Sequence, residues 1–250
     1  MGNHLQSEED FQLMIYAAVL AGGIGSRMGR TDKPKQFLEF GGKPVIVHTV
    51  RAFLSSPEID RVLVLTPGEW CGYTRDLLAD RTGRLTVLAG GESRNETLMN
   101  AVRFIDEEGH LDEETIIVTH DAVRPFVTQR MIRENIEAVK ITGACETAFP
   151  ATDTIIESSD GVLVDRVPDR SALWMTQTPQ SFRAKHLRDL YMSLTDEEKS
   201  VLTDAARIYV MKGEPVRVVR GESYNIKITY PQDIPVAEAI FSTIREDSGI

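Results

Sequence analysis

The chain has 250 residues, of which 42% are hydrophobic, enough for the core of one large domain or two small ones. Its formal net charge of −10 argues against nucleic acid or an anionic membrane as the main partner. Its two cysteines, Cys71 and Cys145, form no C-x-x-C motif, which excludes a cysteine-based zinc site and favours a reducing, cytoplasmic location.

The chain begins with a polar stretch, residues 1–13, that lacks the apolar region of a signal peptide. We interpret it as a disordered leader or a tag remnant. Short apolar runs then alternate with amphipathic patterns. The runs that predict strands are Ile15–Leu20, Arg61–Thr66, Leu85–Leu88, Thr115–Thr119, Cys145–Phe149 and Val216–Val219. The patterns that predict helices include Pro44–Ser55, Asn95–Asp106 and Thr128–Lys140, with Ser93 and Glu96 as a capping box for the second.

Continuous apolar strands separated by helices indicate an α/β fold of Rossmann-like type, with a mostly parallel twisted sheet and helices on both faces. We predict a single domain over residues 14–250. Its one irregular part is 150–172, where Thr152–Val167 has two strand-like runs around Ser-Ser-Asp-Gly, a β-hairpin signal. An isolated hairpin is marginal in water, so this projecting arm packs either on its own sheet or on a partner subunit.

A Gly-rich segment with two cations, Arg27 and Lys35, follows the first strand. Glycines let backbone N–H groups approach an anion closely, so the segment predicts a phosphate site, with an exposed connecting loop as the alternative. The dinucleotide fingerprint fails because Met28 stands at its third glycine, and the Walker pattern fails because Pro44 follows Gly-Lys.

The stretch "LAGGIGSRMG…PKQF" resembles the signature of sugar-phosphate nucleotidyltransferases, in particular the cytidylyltransferase family. Further similar stretches follow in the family's order, namely "GGESRNETL", "HDAVRPF", "TDTI", "DRSALWMTQTPQSF" and "YNIKIT". The resemblance covers essentially Met14–Phe241. It implies a homodimer, joined through the β-arm, that transfers CMP from CTP to a polyol phosphate with the help of Mg²⁺ and releases pyrophosphate.

Two branches of this family share the pattern, one acting on D-ribitol 5-phosphate for teichoic acid synthesis and one on methylerythritol 4-phosphate for isoprenoid synthesis. The stretch "LTDEEKSVLTDAARIYVMKG" and the Ala-Gly-Gly at 21–23 resemble the ribitol enzymes more, whereas "DRSALW" resembles the methylerythritol enzymes slightly more. The resemblance therefore implies CDP-ribitol as the product, with the methylerythritol reaction as the alternative. A nicotinamide-dependent oxidoreductase and a non-catalytic nucleotide-binding protein are the alternatives from other classes.

The resemblance also implies a set of site residues. The catalytic cations are Arg27, Lys35 and Lys227. The nucleotide-binding residues are Leu20, Ala21, Gly22, Gly23, Gly25, Gly90, Arg94 and Thr97. The residues that bind the acceptor are Arg124, Thr154 and Arg170, and Arg170, just past the arm, is predicted to act in the partner's site.

A metal ligand is predicted at Asp121, which follows the apolar run Thr115–Thr119. A carboxylate at the carboxyl end of a parallel strand faces the ligand crevice, and its oxygens suit Mg²⁺. The alternative is a loop aspartate paired with Arg124. Tyr224 stands where the methylerythritol enzymes carry a second acidic ligand, so Glu222 or water are the candidates for that role.

Overall fold

The computed structural model describes residues 13–23, 33–79 and 82–247, so nearly all of the predicted leader lies outside the described residues. The strands are β1 (Ile15–Leu20), β2 (Glu39–Phe40), β3 (Lys43–Pro44), β4 (Arg61–Thr66), β5 (Leu85–Ala89), β6 (Ile116–Asp121), β7 (Ala144–Pro150), β8 (Trp174–Arg183) and β9 (Arg217–Arg220). The α-helices are α1 (Val45–Leu54), α2 (Cys71–Leu78), α3 (Arg94–Glu107), α4 (Gln129–Thr142), α5 (Ala184–Met192), α6 (Asp196–Ser200), α7 (Ala206–Met211) and α8 (Asp233–Asp247). In the described ranges no helix is long and apolar enough to cross a bilayer.

Seven of the described strands form the central sheet, in the order β5-β4-β1-β6-β8-β7-β9, and β2 pairs with β3 apart from it. Neighbouring strands are parallel except around β8, which runs antiparallel to both β6 and β7. Parallel neighbours need crossover connections, and the helices between the strands provide them. The predicted mostly parallel, Rossmann-like sheet is confirmed.

Apolar side chains cover both faces of the sheet, which explains why its strands read as continuous apolar runs. On one face, Val118 of β6 belongs to a buried cluster with Phe53 of α1 and Ile136 of α4. On the other, Ile117 belongs to a cluster with Leu98 of α3 and with residues of α5 and α7. The helices therefore lie on both faces, as predicted.

Local sequence patterns gave the strand positions closely. The predicted strands Ile15–Leu20 and Arg61–Thr66 coincide with β1 and β4, and the others differ by one or two residues at their ends. The predicted capping box is also present. Ser93 Oγ accepts a hydrogen bond from the backbone N of Glu96, and the Glu96 carboxylate accepts one from the backbone N of Ser93.

Strand β8 was not predicted, because its sequence contains Pro179 and is rich in polar residues, which argues against a central strand. In the structure the polar side chains of Gln177, Thr178, Gln180 and Ser181 are buried and have distant partners. Thr178 Oγ1 lies 3.0 Å from Nδ1 of His120, and Gln180 Nε2 donates to Glu146 Oε1 at 2.8 Å. The partners come from β6 and β7, which no local pattern reveals.

The arm at Thr152–Val167 forms a hairpin turn, as its sequence indicated, but its two strand-like runs are not continuous strands. Its pairing in the described chain is a single bridge between Glu157 and Arg166, reinforced by an ion pair between the two side chains. Asp160 Oδ1 accepts hydrogen bonds from the backbone at the tip. The hairpin is less regular than its two strand-like runs indicated, as is expected for an isolated two-stranded hairpin. Its role in a dimer stays a prediction.

Helix α8 packs back onto the β2–β3 hairpin near the start of the chain. Phe241 of α8 lies so close to Gly41 that a Cβ added there would come within 2.5 Å of its ring. Gly41 has a φ of +54°, a conformation that favours glycine. Phe40, in the same hairpin, belongs to a buried cluster with Phe126 and Ile228. Helix α8 is thereby held against the β2–β3 hairpin.

Candidate active site

A cavity of about 420 Å³ opens at the carboxyl ends of β1 and β6, where Leu20 and Asp121 pair in register. Ligands of open α/β sheets bind at this position. The predicted site residues among its lining are Leu20, Ala21, Gly22, Gly23, Lys35, Arg94, Thr97, Asp121 and Lys227. The structure thus brings together residues from four distant parts of the chain. Gly25 and Arg27 fall in residues 24–32, outside the described ranges.

The loop before α3 forms one wall of the cavity and needs its glycines. A Cβ on Gly91 would lie 2.6 Å from Cβ of Glu96, and one on Gly90 would lie 3.1 Å from Oγ1 of Thr97. Thr97 Oγ1 accepts a hydrogen bond from Gly91 N at 3.0 Å and donates one to Ser93 O at 2.8 Å. Here the Thr97 hydroxyl holds the loop onto the first turn of α3.

The N-terminus of α3 faces the cavity, since both Ser93, its N-cap, and Arg94, its first residue, are in the lining. The first N–H groups of a helix lack intrahelical partners and carry partial positive charge. A helix start beside a glycine turn is a common binding site for phosphate groups.

Asp121 is the centre of a cluster of cations in the cavity. Its Oδ2 lies 2.9 Å from Nζ of Lys227 and 3.6 Å from Nε of Arg124, and its Oδ1 lies 3.4 Å from Nε of Arg94. Burial alone would raise the pKa of Asp121, but the positive charges of Arg94, Lys227 and Arg124 outweigh it and hold the pKa far below its usual range. The carboxylate therefore stays ionised at all physiological pH values.

Arg124 is a partner of Asp121, which was the alternative interpretation of this residue. Its side chain is not in the cavity lining, and its Nη1 donates a hydrogen bond to Asn225 O at 2.8 Å. Asn225 is fully buried and donates through Nδ2 to Thr178 O at 2.9 Å. Arg124 thus fixes the segment that carries Lys227 against Asp121. The buried amide of Asn225, within the "YNIKIT" stretch, was not singled out in the sequence.

Lys35 lies in a short 3-10 helix, Lys35–Phe37, that follows the Gly-rich segment. Its neighbour Gln36, another residue not predicted, is 1% exposed and donates through Nε2 to Ala21 O at 2.7 Å. The ring of Phe37 lies 5.0 Å from those of both Trp70 and Tyr73. The backbone around Lys35 is therefore held on both sides, which fixes where its ammonium group lies.

His120, beside the metal-ligand candidate, is fully buried and hydrogen-bonded through both ring nitrogens. Thr178 Oγ1 accepts a hydrogen bond from Asp121 N at 3.1 Å, so its own hydrogen is directed to His120 Nδ1. His120 Nε2–H then donates to Arg124 O at 2.9 Å. Burial lowers the pKa of His120 to about 4. This neutral imidazole braces the end of β6 and has no position free for proton transfer.

The predicted acceptor residues Thr154 and Arg170 are not in the main cavity. Arg170 lies at the base of the arm, in a second, open cavity of about 480 Å³ that also contains Trp174 and Arg220. Its Nη1 donates to Thr152 O at 2.9 Å, and Thr154 is exposed on the arm. Within one chain, these residues and the Asp121 cluster line different cavities.

Tyr224 carries an aromatic ring that packs on the buried cluster around Phe126 and Ile228. Glu222 forms an ion pair with Arg130 at 2.7 Å. Among the described residues, no group of three or more His, Cys, Asp or Glu side chains is arranged to hold a metal ion. Asp121 is therefore the carboxylate around which an ion site would have to be built.

Comparison with known proteins agrees with this geometry. Residues 15–243 match the family described as IspD, 2-C-methyl-D-erythritol 4-phosphate cytidylyltransferase. The 4-diphosphocytidyl-2C-methyl-D-erythritol synthase of Anaerococcus prevotii is similar with 27% identity and a TM-score of 0.76, covering 92% of this chain and 96% of that one. The 2-C-methyl-D-erythritol 4-phosphate cytidylyltransferase of Francisella tularensis is similar with 28% identity and a TM-score of 0.75, covering 90% and 98%.

Proposed function

The chain belongs to the IspD family of CTP-dependent cytidylyltransferases, and on this basis we propose that it transfers CMP from CTP to D-ribitol 5-phosphate. The observation that carries the proposal is the grouping of Lys35, Arg94, Asp121 and Lys227 around one cavity beside the Gly22–Gly23 turn. Arg94, Arg124 and Lys227 converge on the carboxylate of Asp121. Such a site suits a polyanionic ligand, in which charge develops on leaving phosphate groups.

In the proposed reaction, a phosphate oxygen of the acceptor attacks the α-phosphorus of CTP. A new P–O bond forms, the bond between the α-phosphorus and the bridging oxygen breaks, and pyrophosphate leaves with the electron pair. The acceptor phosphate is already a nucleophile, so no general base is needed, in keeping with the neutral and fully bonded His120. Catalysis then consists of positioning and charge stabilisation.

Backbone and side chains divide this work. The Gly22–Gly23 turn and the start of α3 offer N–H groups to the triphosphate. Lys35 and Lys227 supply the positive charge that stabilises the crowded α-phosphate, while Arg94 and the loop at Gly90 hold the nucleotide. Arg27 remains a proposed third catalytic cation, in the part of the chain that is not described. Lys35, at 8% exposed, acts in a shielded environment where its charge has a strong effect.

Enzymes of this family generally use a divalent metal, and Asp121 fits one. Mg²⁺ in phosphoryl-transfer sites is held by one or two carboxylates together with substrate phosphates and water. Asp121 is ionised and lines the cavity. The cationic side chains around it could bind the triphosphate instead of Asp121. When bound there, Mg²⁺ would neutralise charge on the triphosphate. The protein's own residues position that carboxylate, because Thr178 Oγ1 fixes the backbone N of Asp121 and Arg94, Arg124 and Lys227 contact its oxygens.

The identity of residue 224, a tyrosine, bears on which acceptor we propose. In the methylerythritol branch an acidic residue at this position helps to hold the metal, whereas here the ring is part of an apolar cluster and Glu222 is paired with Arg130. This favours ribitol 5-phosphate. The names of the matching family and of the similar structures favour methylerythritol 4-phosphate instead, which is the second candidate.

We further propose that the enzyme is a homodimer in which each arm reaches the other subunit. The arm exposes several large apolar side chains, with Val162 82%, Leu163 67% and Val167 58% exposed. Such a surface on a projecting segment suits a two-fold contact between identical chains. Arg170 would then bind the acceptor phosphate in the partner's site, which accounts for its separation from the Asp121 cluster.

The acceptor is tested by following pyrophosphate release from CTP with each polyol phosphate. We expect the highest kcat/KM with D-ribitol 5-phosphate. A preference of tenfold or more for methylerythritol 4-phosphate, about 1.4 kcal/mol of transition-state binding, would make that compound the acceptor. Binding of CTP without release of its pyrophosphate in the presence of any acceptor would reduce the protein to a nucleotide sensor.

A further inference from the structure

Three polar atoms lie buried beside the cavity with no hydrogen-bond partner in the described part of the chain, namely Arg94 Nη1, Thr119 Oγ1 and Gln180 Oε1. Thr119 is fully buried and Gln180 is 2% exposed. These two residues lie opposite each other in β6 and β8, so their side chains share one face of the sheet. Asp121, two residues after Thr119, shares that face, and Arg94 reaches it at 3.4 Å. One donor, Arg94 Nη1, and two acceptors, Thr119 Oγ1 and Gln180 Oε1, therefore lie on the same face of the sheet as Asp121.

Glu146 of β7 lies on the same face of the sheet as Gln180. It lies opposite Gln180 and accepts a hydrogen bond from Gln180 Nε2 at 2.8 Å. Burial raises the pKa of Glu146, whereas the bond from Gln180 and the positive charge of Arg94 lower it. The nearby Asp204 is occupied at the start of α7, where it accepts from Arg207 N at 2.9 Å. The positive charge of Arg94 thus favours the ionised form of Glu146 on the same face of the sheet.

Asp121 alone does not satisfy Arg94. It is shared among three cations, and its 3.4 Å separation from Arg94 Nε is longer than an ordinary charge-assisted hydrogen bond. The second nitrogen of the guanidinium, Nη1, is buried and unpaired in the described chain. A buried donor left unpaired is destabilising, which favours pairing with the acceptors of Gln180 and Thr119.

We propose that Glu146, Gln180 and Thr119 form a positioning row that holds Arg94 for nucleotide binding, with one buried water joining Arg94 Nη1 to Gln180 Oε1 and Thr119 Oγ1. The inference rests on the proposed function, in which Arg94 contacts CTP. Glu146 occupies the amide nitrogen of Gln180, which leaves the amide oxygen for the row. A water with two to four polar partners is a usual part of protein interiors. Glu146 lies outside the cavity lining, so it acts through Gln180.

The row is tested by replacing Glu146 and measuring CTP affinity by calorimetry, without turnover. Glu146→Leu is expected to weaken CTP binding about tenfold and to lower the unfolding temperature somewhat, because the buried Nε2 of Gln180 loses its acceptor. Glu146→Gln keeps an acceptor oxygen and should restore most of the affinity. Glu214→Leu, at another half-buried glutamate, is the matched control and should bind CTP as the wild type does. Wild-type affinity in Glu146→Leu would overturn the proposal.

A double-mutant cycle with Arg94→Ala locates the effect. In the Arg94→Ala background, Glu146→Leu should weaken CTP binding no further, because its influence passes through the arginine. An additive loss would mean that Glu146 acts by another route, and the positioning role would be discarded.

A high-resolution crystal structure of the unliganded protein tests the water independently of function. We expect solvent density bridging Arg94 Nη1 and Gln180 Oε1, lost in Glu146→Leu. A wild-type structure in which Arg94 Nη1 has no such bridge would overturn the row. If the wild type binds no CTP, the proposed function fails, and this structure still decides whether the row exists.

Discussion

The ammonium nitrogen of Lys35 donates a hydrogen bond to the backbone carbonyl of Ile228 at 3.2 Å, joining residues 193 positions apart. Ile228 directly follows Lys227, whose own ammonium lies 2.9 Å from Asp121. Two lysines in the lining of one cavity are thus fixed relative to each other by a single contact. A change at either lysine should therefore affect the geometry of the transfer step more than the folding of the chain.

Replacing Lys35 with alanine should reduce kcat by roughly 10²–10³, because a preorganised positive charge is lost where charge develops in the transition state. CTP affinity should fall much less. The measurement is steady-state pyrophosphate release together with CTP binding by calorimetry. Lys43→Ala, at an exposed lysine on β3, is the control and should match the wild type. An effect of Lys35→Ala on KM alone would demote Lys35 to a general phosphate anchor.

Asp121→Asn should raise the Mg²⁺ concentration needed for half-maximal activity steeply, because the proposed carboxylate ligand is replaced by a weaker amide. It should also lower the unfolding temperature in EDTA, since Arg94, Arg124 and Lys227 lose their shared counter-charge. Both quantities are measured on one preparation. An unchanged Mg²⁺ dependence in a folded variant would show that phosphates and water hold the ion without Asp121.

His120 should make the metal-free protein less stable as the pH falls from about 6.5 to about 4. Burial lowers its pKa in the folded state to about 4, whereas the unfolded chain takes up the proton near pH 6.5. The unfolded state therefore binds more protons in this window, and roughly 3 kcal/mol of stability is lost across it. His120→Gln should flatten the change in unfolding temperature with pH. His186→Gln, at a more exposed histidine, should leave that change as it is in the wild type. Equal slopes of unfolding temperature against pH in the wild type and both variants would contradict the assignment to His120.

Mixing two inactive variants tests whether the site is shared between subunits. Arg170→Ala and Lys35→Ala homodimers should each be nearly inactive. When they are co-refolded, about half of the dimers are heterodimers with one intact site, so activity should return to roughly a quarter of the wild-type value. If Arg170 acts in its own subunit, no heterodimer contains an intact site. Mass measurement confirms that heterodimers formed, and their inactivity would refute the shared site.

Local patterns predicted the parts of the fold that depend on local interactions. β1 and β4 were placed correctly because a strand buried on both faces reads as a continuous apolar run. The capping box of α3 was predicted because Ser93 and Glu96 bond to each other's backbone within one turn. β8 was missed because its buried polar residues are satisfied by groups on β6 and β7 rather than by neighbours in sequence.

The candidate site was predicted through family resemblance rather than through pattern. Spacing alone gave a phosphate loop and a carboxylate at a strand end, but not that Arg94, Arg124 and Lys227 would all meet Asp121. Those contacts join segments far apart in sequence. For the same reason Gln36, whose amide holds Ala21, was not predicted. The sequence around a buried amide in a loop does not indicate its hydrogen-bond partner, which becomes known only from the fold.

The return of α8 onto the β2–β3 hairpin has a consequence during synthesis of the chain. Phe241 meets Gly41, and Lys227 meets Asp121, only after the segments that carry Phe241 and Lys227 have left the ribosome. At about 5–20 residues per second, the 193 positions between Lys35 and Ile228 take roughly 10–40 s to translate. Throughout that interval the nascent chain holds the first half of a nucleotide site without the second. The contacts that fix Lys35 and Lys227 in the cavity therefore form late in synthesis.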